Sequence, residues 1–182
     1  PQEALKTKLG GMNHIATHVE WSEKIHGVGV QEMDSQHQYL FRLINDLVDL
    51  SNRDAPRSDF SPVLEGLVNY TETHFRVEEA LMKGAQYPRL EQHKLVHAGF
   101  VDKISKFHEG FTSGRDNINV KLLTFLQKWL VNHICSTDAH YAKFLASKGL
   151  SDAKLHSKKK SSSKVGSVSI AVDLITGEEE EE

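Results

Sequence analysis

Histidines and acidic residues recur along this chain at spacings that could bring them together in a metal site. His74 and Glu78 are four residues apart, as are His93 and His97, so each pair would share one face of a helix. Both pairs fall on stripes of leucine and phenylalanine, where a folded chain places its core. His37 and His133 fall on such stripes as well, and Asp138 lies five residues after His133. The candidate ligands are therefore seven: His37, His74, Glu78, His93, His97, His133 and Asp138.

The two carboxylates are the strongest sign of metal binding. A lone histidine on an apolar face is more often a hydrogen-bonded core residue, and each histidine taken singly would favour that interpretation. Burying Glu78 and Asp138 without partners, however, would cost about 3 kcal/mol or more each. Divalent cations remove that penalty. Imidazoles with bridging carboxylates suit iron, and would also accept zinc, copper or manganese. Structural zinc prefers four ligands, so seven side chains favour two iron ions.

The candidates divide between the two ions. His93 and His97, one turn apart, would chelate one ion together with His133 from the next helix. His37 and His74 would hold the second, with both carboxylates and an oxo or hydroxo oxygen as bridges. The first ion then has six ligands and the second has five, which leaves one open position. Carboxylate-rich di-iron enzymes use a repeated Glu-x-x-His motif, and its absence as a repeat here favours oxygen binding over oxygen activation.

Four helices are needed to position these residues. Apolar residues recur at helical spacing in four stretches separated by short breaks. The sequence therefore predicts an all-α fold, an up-down-up-down four-helix bundle. The predicted helices run from a cap at Asp34 or Ser35 to about Asn52, from Ser61-Pro62 to Gly84, from Pro88 to Gly110 or Gly114, and from Asn117 or Asn119 to a cap at Gly149.

The bundle is predicted to occupy residues 31–150, between an N-terminal arm (1–30) and a low-complexity tail (151–182). The arm shows no sustained periodicity, and Trp21 is expected to pack it on the bundle. The tail is rich in lysine and serine and ends in glutamates, so we expect it to be disordered. It is also the candidate contact for a protein partner.

The composition excludes several other classes of protein. The formal net charge of -3 indicates no nucleic-acid surface, and no apolar stretch is long enough to span a membrane. The single cysteine, Cys135, excludes an internal disulfide and is expected to be a small packing residue. A cytoplasmic location is expected. The six remaining histidines are assigned to surface or loop positions: His14, His18, His26, His108, His140 and His156.

The ordered motifs resemble the hemerythrin family, and most of all its bacterial branch, the bacteriohemerythrins. The resemblance covers about Trp21 to Leu150, and it implies a non-haem di-iron centre (Fe2+/Fe3+) that binds dioxygen at the five-coordinate iron. The matching pieces are Asp34-Ser35-Gln36-His37, His74-Phe75-Arg76-Val77-Glu78, His93-x-x-x-His97 and His133-Ile134-x-x-x-Asp138, preceded by Trp21 and Gly27-Val28-Gly29-Val30. The resemblance also implies an apolar oxygen pocket formed by Leu40, Phe75, Trp129, Leu130 and Ile134.

The expected function is reversible dioxygen binding for storage, transport or delivery in a bacterial cell, without enzymatic activity. Two alternatives stay open at this point. One is an oxygen sensor that signals to a partner, and the other is a di-iron enzyme acting on peroxide or nitric oxide. A monomer or a small homo-oligomer is expected.

Overall fold

The structure, a computed structural model, describes residues 16–118 and 120–150. Predictions about the 151–182 tail lie outside the described residues, and the domain boundaries at 30 and 150 stay predictions. Every regular element in the described part is helical: α1 (Glu23–His26), α2 (Gln31–Asn52), α3 (Arg57–Gly84), α4 (Leu90–Thr112), α5 (Val120–Asn132), a π-helix (His133–Asp138) and α6 (Ala139–Lys148).

The long helices form the predicted four-helix bundle. Helix α2 packs along α3, α3 packs along α4, and α5 returns against α2. Short turns join successive helices, which makes neighbours antiparallel and confirms the all-α, up-down-up-down architecture. Fully buried leucines such as Leu47, Leu64 and Leu126 fill the space between the helices, each stabilising the fold by about 1.5–3 kcal/mol. None of the helices described is long and apolar enough to cross a membrane.

Helix α2 begins three residues before the predicted cap. Gln31 is its first residue, and Asp34 lies in the first turn. The Asp34 carboxylate accepts hydrogen bonds from the backbone N–H groups of Val28 (2.7 Å) and Gly29 (3.2 Å), upstream of the helix. Gly29 has a φ of 76°, a left-handed conformation that glycine adopts without strain. Asp34 therefore fixes the chain that enters the helix, and the prediction that it caps α2 is wrong.

Two further helix starts differ from the prediction. Helix α3 begins at Arg57, so Pro62 lies inside the helix and not in its first turn. Pro62 has no N–H to donate, which costs α3 one hydrogen bond on an exposed face. Helix α4 begins at Leu90 and not at Pro88, because a turn occupies the two residues before it. It ends at Thr112, within the predicted range.

The fourth bundle helix was predicted to be continuous, but it consists of three segments. Helices α5 and α6 are joined by the six-residue π-helix His133–Asp138. The predicted end is confirmed, since Gly149 closes α6 with a left-handed φ of 74°. The predicted start at Asn117 falls three residues before Val120, the first residue of α5, and Asn119 lies outside the described residues. The π-helix is the part of this helix that bears on the site.

The described part of the N-terminal arm is fixed along α2 and includes the short helix α1, so it is not wholly irregular. The Asn45 side-chain amide accepts a hydrogen bond from the Val19 N–H (3.0 Å) and donates one to the Val19 carbonyl (2.9 Å). Asn52, two turns further along α2, makes the same pair of bonds with Ala16 (3.1 and 2.8 Å). Trp21 packs edge-on against a phenylalanine of α2, which confirms its predicted role.

Candidate metal centre

Seven buried polar side chains converge in the interior of the bundle. All of them are at most 3% exposed. They are the seven residues that the spacing predicted, and the structure brings them into one cluster, although their ligation of metal stays a prediction. Helix α2 supplies His37, α3 supplies His74 and Glu78, α4 supplies His93 and His97, and the π-helix supplies His133 and Asp138.

Three imidazole nitrogens meet on the α4 side of this cluster. The Nε2 atom of His97 lies 3.0 Å from Nε2 of His93 and 3.0 Å from Nε2 of His133. Two ligand nitrogens at about 2.1 Å from one metal ion lie about 3.0 Å apart when their bonds are perpendicular, as in an octahedral site. The three nitrogens therefore have the spacing of adjacent ligands on a single ion.

The carboxylates lie between this group and the other two histidines. The two oxygens of Asp138 point in different directions, Oδ1 lying 3.0 Å from Nε2 of His133 and Oδ2 lying 3.4 Å from Nε2 of His37. The Oε2 atom of Glu78 lies 3.1 Å from a histidine of α4. Glu78 also falls within a second group with His37 and His74, whose ligand atoms lie within 4.8 Å of one another. Both carboxylates are thus placed as bridges would be.

Unpaired polar atoms show that the residues present fit a metal. Both oxygens of Asp138, Oε1 of Glu78 and both ring nitrogens of His37 are buried and have no hydrogen-bond partner in the described part of the chain. A buried polar atom left unpaired costs about 1–3 kcal/mol. Divalent cations between the two groups would satisfy the carboxylate oxygens and the ring nitrogens that face them.

Burial keeps three of the imidazoles in the neutral form that binds metal. It lowers the pKa of His37 to about 3 and also lowers the pKa of His74 and of His133. Burial, together with the charge of Glu78, raises the pKa of Asp138 well above its usual range. Burial would also raise the pKa of Glu78, but its hydrogen-bonding contacts with the α4 histidines outweigh burial and hold that pKa well below the usual range. Cations at the cluster would allow Asp138 to ionise beside the ionised Glu78.

Two of the histidines are oriented by residues that the sequence reasoning missed. The Nδ1 atom of His74 donates to Oε1 of Gln36 over 2.9 Å, and Nδ1 of His97 donates to Oε1 of Glu79 over 2.8 Å. Such contacts leave Nε2 to face the cluster and fix the plane of the ring, as they do around metal-bound histidines. Each acceptor is the immediate sequence neighbour of a candidate ligand, and that adjacency was the available signal.

The π-helix explains how one short segment supplies two members of the cluster. His133 and Asp138 are five residues apart, and in an α-helix their side chains would point about 140° away from each other. The i→i+5 hydrogen bonding of a π-helix gives each turn an extra residue and brings them to one face. Cys135, within the same segment, is exposed. The prediction that Cys135 is a small packing residue is therefore wrong.

Aromatic rings cover the three-histidine side of the cluster. Phe75 stacks on His97, with ring centroids 3.7 Å apart and planes 4° apart, and Trp129 stacks on His133 at 4.4 Å and 12°. Phe75 and Trp129, two members of the predicted oxygen pocket, therefore lie against the three-histidine group. The other three members are buried in the same core: Leu40, Leu130 and Ile134. Their role as an oxygen pocket stays a prediction.

Tyr141 is a further buried polar residue beside the cluster. Its side chain is fully buried, and its ring centroid lies 5.7 Å from that of His93. Burial, with the nearby charges of Glu78 and Asp138, raises the pKa of its hydroxyl well above the usual range. Tyr141 therefore stays protonated and adds no charge to the cluster.

The histidines outside the cluster were predicted to lie on the surface or in loops, and His26 does not. It is buried, with its ring 5.4 Å from Trp21 and 5.1 Å from Phe41. The prediction is wrong for His26 because α1 is folded against α2. Of the others, His18 and His140 are exposed, His108 is half-buried, and His14 and His156 lie outside the described residues.

Comparison with known proteins agrees with this geometry. Residues 28–145 match the family described as the hemerythrin HHE cation binding domain. A bacteriohemerythrin of Pseudomonas aeruginosa is 35% identical over 124 residues, or 68% of this chain and 79% of that protein. A myohemerythrin of Theromyzon tessulatum is 35% identical over 122 residues, or 67% of this chain and 89% of that protein. A crystal structure of wild-type hemerythrin matches with a TM-score of 0.66 at 29% identity, over 70% of this chain and 97% of that one.

These similarities confirm what the ordered motifs predicted. The family match spans the helices that carry all seven members of the cluster. The chain belongs to the hemerythrin family.

Proposed function

We propose that this protein binds dioxygen reversibly at a centre of two non-haem iron ions, for oxygen storage, transport or delivery in a bacterial cell. The observation that carries the proposal is the convergence of five imidazoles and two carboxylates in a buried cluster. Two ferrous ions held there would supply the electrons that dioxygen takes up on binding and returns on release.

The geometry supports an unequal division of the ligands. His93, His97 and His133 form one group with both carboxylates, and His37 and His74 form the other with the shared glutamate. With both carboxylates and an oxo or hydroxo oxygen as bridges, the ion with three imidazoles would have six ligands. The ion with two imidazoles would have five and therefore one open position. The proposed oxygen site is therefore on the side of His37 and His74.

The surrounding residues would keep the centre oriented and dry. Gln36 and Glu79 hold two of the imidazole rings through their Nδ1 atoms. Apolar side chains at the cluster exclude water and protons. Their access would leave the irons oxidised and unable to bind dioxygen again. We assign this exclusion to the predicted oxygen pocket, which consists of Leu40, Phe75, Trp129, Leu130 and Ile134.

The donor set favours binding over catalysis. Five neutral imidazoles and two carboxylates place little negative charge on the ions, whereas di-iron enzymes of the carboxylate type draw on four glutamates and two histidines. We therefore propose that the protein is not an enzyme. A cytoplasmic location, and a monomer or small homo-oligomer, are proposed with it.

The test is to load the full chain with iron, count the iron by elemental analysis, and cycle the reduced protein between air and argon while recording its spectrum. We expect about two irons and about one dioxygen per chain, with most of the protein returning to the reduced form under argon. His74→Ala should lose iron. The control is His18→Ala, which removes an exposed histidine of the arm paired with Asp49 and should leave iron content unchanged.

Three outcomes would redirect the proposal. One zinc ion and no iron would refute the di-iron centre. Irreversible oxidation on first exposure to air, with product released, would favour the enzyme acting on peroxide or nitric oxide. Reversible binding accompanied by oxygen-dependent association with a partner through the tail would favour the sensor.

A further inference from the structure

A solvent-open groove lies beside the cluster, outside the candidate oxygen site. Its volume is about 170 Å³, and it runs between the first turns of α4 and the junction of the π-helix with α6. That volume is enough for several water molecules or one small anion. One wall is formed by His93, the only one of the seven cluster residues that lines the groove.

Besides His93, five residues with polar side chains and the apolar Val96 line the groove. Arg89, Gln92 and His140 are exposed, Thr137 is half-buried and Tyr87 is buried. Within the described residues no carboxylate lines this groove, and neither Arg89 nor His140 forms an ion pair. Arg89 also precedes the first residue of the 23-residue helix α4, so the positive end of that helix faces the same space.

The histidine that forms the buried wall of the groove has one ring nitrogen, Nδ1, that does not face the metal cluster. His93 is 3% exposed, and its Nε2 atom is engaged with Glu78 and His97 at the cluster. In the part of the chain that the structure describes, no acceptor is found for its Nδ1 atom, whereas His74 and His97 have Gln36 and Glu79. Metal at Nε2 would leave Nδ1 to carry the proton, so in this respect the donor rests on the proposed function.

We propose that the groove binds a small oxyanion, a phosphate or carboxylate group, which neutralises Arg89 and accepts the Nδ1–H of His93. The anion completes for His93 the outer contact that Glu79 gives to His97. An anionic acceptor at Nδ1 increases the basicity of the imidazole as a ligand. Anion occupancy therefore changes the electronic environment of the three-histidine ion without occupying the proposed oxygen site.

The experiment titrates the iron-loaded full chain with inorganic phosphate, and in a second arm with acetate, by calorimetry at low ionic strength. Iron content is measured in parallel, so a failure of the di-iron centre is seen separately from a failure of the groove. We expect saturable binding of one anion per chain, and the stronger arm identifies the class. Arg89→Gln should weaken binding by about ten- to a hundredfold, because a charge-assisted hydrogen bond is lost. Arg89→Lys should bind the anion with an affinity between those of Arg89→Gln and the unmodified protein.

A matched control and a second variant keep the result interpretable. Arg115→Gln makes the same charge change beyond the other end of α4, about 35 Å away by the length of that helix, and should bind like the unmodified protein. His140→Gln, at an exposed position, should weaken binding without affecting folding. Saturable binding that Arg89→Gln leaves unchanged would place the anion elsewhere and overturn the proposal. Absence of saturable binding in both arms, with iron content intact, would also overturn it.

Discussion

The contact between Glu79 and His97 offers a sharp test of how the metal centre is supported. Glu79 is on α3, and its Oε1 atom accepts the Nδ1–H of His97 at 2.8 Å, a distance typical of charge-assisted hydrogen bonds. The carboxylate does not face the cluster, so a substitution there leaves all seven candidate ligands in place. We expect Glu79→Ala and Glu79→Gln to weaken iron binding without abolishing it.

The expected loss of iron affinity follows from the kind of hydrogen bond that each substitution removes or weakens. Loss of an outer hydrogen bond to a metal-bound histidine usually weakens metal affinity by about ten- to a hundredfold, and we expect Glu79→Ala in this range. Glu79→Gln keeps an acceptor oxygen, as Gln36 provides for His74. A neutral acceptor is weaker than a charged one by about 1 kcal/mol, which corresponds to about fivefold in affinity. The side chain of Glu79 is 26% exposed, so water can replace part of what Glu79→Ala removes.

The assay is anaerobic competition for ferrous iron between the protein and a coloured chelator. The control pair is Glu91→Ala and Glu91→Gln, since the Glu91 side chain is 82% exposed and forms an ion pair with Lys94 at 3.1 Å. Both controls should bind iron as the unmodified protein does. Equal affinity of Glu79→Ala and the unmodified protein would refute the argument that this contact supports His97. So would a greater loss in Glu79→Gln than in Glu79→Ala.

Three further predictions concern the dry surround, acid stability and the tail. Leu130→Asn should speed the conversion of the oxygenated protein to its oxidised form in air, followed by its spectrum, whereas Leu95→Asn at a position 73% exposed should not. His37 binds no proton in the folded state until about pH 3 but does so near pH 6.5 when unfolded. The metal-free protein should therefore lose stability as pH falls below about 6.5, and this histidine alone should account for about 2 kcal/mol at pH 5. Urea unfolding at a series of pH values measures the loss, and His37→Gln should make the free energy of unfolding less dependent on pH. Truncation after Leu150 should leave iron content and reversible oxygen binding unchanged, because every candidate ligand precedes it; loss of iron on truncation would contradict this.

Spacing within single helices was enough to predict two of the pairs that come together in the cluster. His74 and Glu78, and likewise His93 and His97, share a face because the α-helical period fixes the direction of side chains four apart. The same period predicted the apolar stripes that surround them, and with short breaks between the stripes it predicted the bundle. Helical periodicity alone therefore predicts these two pairs, whereas the position of His37 and the alignment of His133 with Asp138 depend on helix packing and on the π-helix.

Features that depend on distant partners were not predictable in this way. Asp34 has the sequence signature of a helix cap, but its carboxylate accepts hydrogen bonds from the loop upstream. His26 is buried because the arm lies along α2, where Asn45 and Asn52 bond to residues 26 and 36 positions earlier in the chain. Local propensity contains no information on such pairings, which are decided when the arm meets the folded bundle.

The π-helix makes chain length itself a requirement of the cluster. Between His133 and Asp138 the chain uses five steps where a regular α-helix would use four, so the segment behaves as a one-residue insertion absorbed inside a helix. Residues upstream and downstream keep a common apolar stripe, with Leu130 and Tyr141 both buried. The exposed residues of the segment, such as Ser136, contribute no side chain to the cluster. Their number is fixed, because one residue more or fewer would turn the carboxylate and the imidazole away from their present alignment.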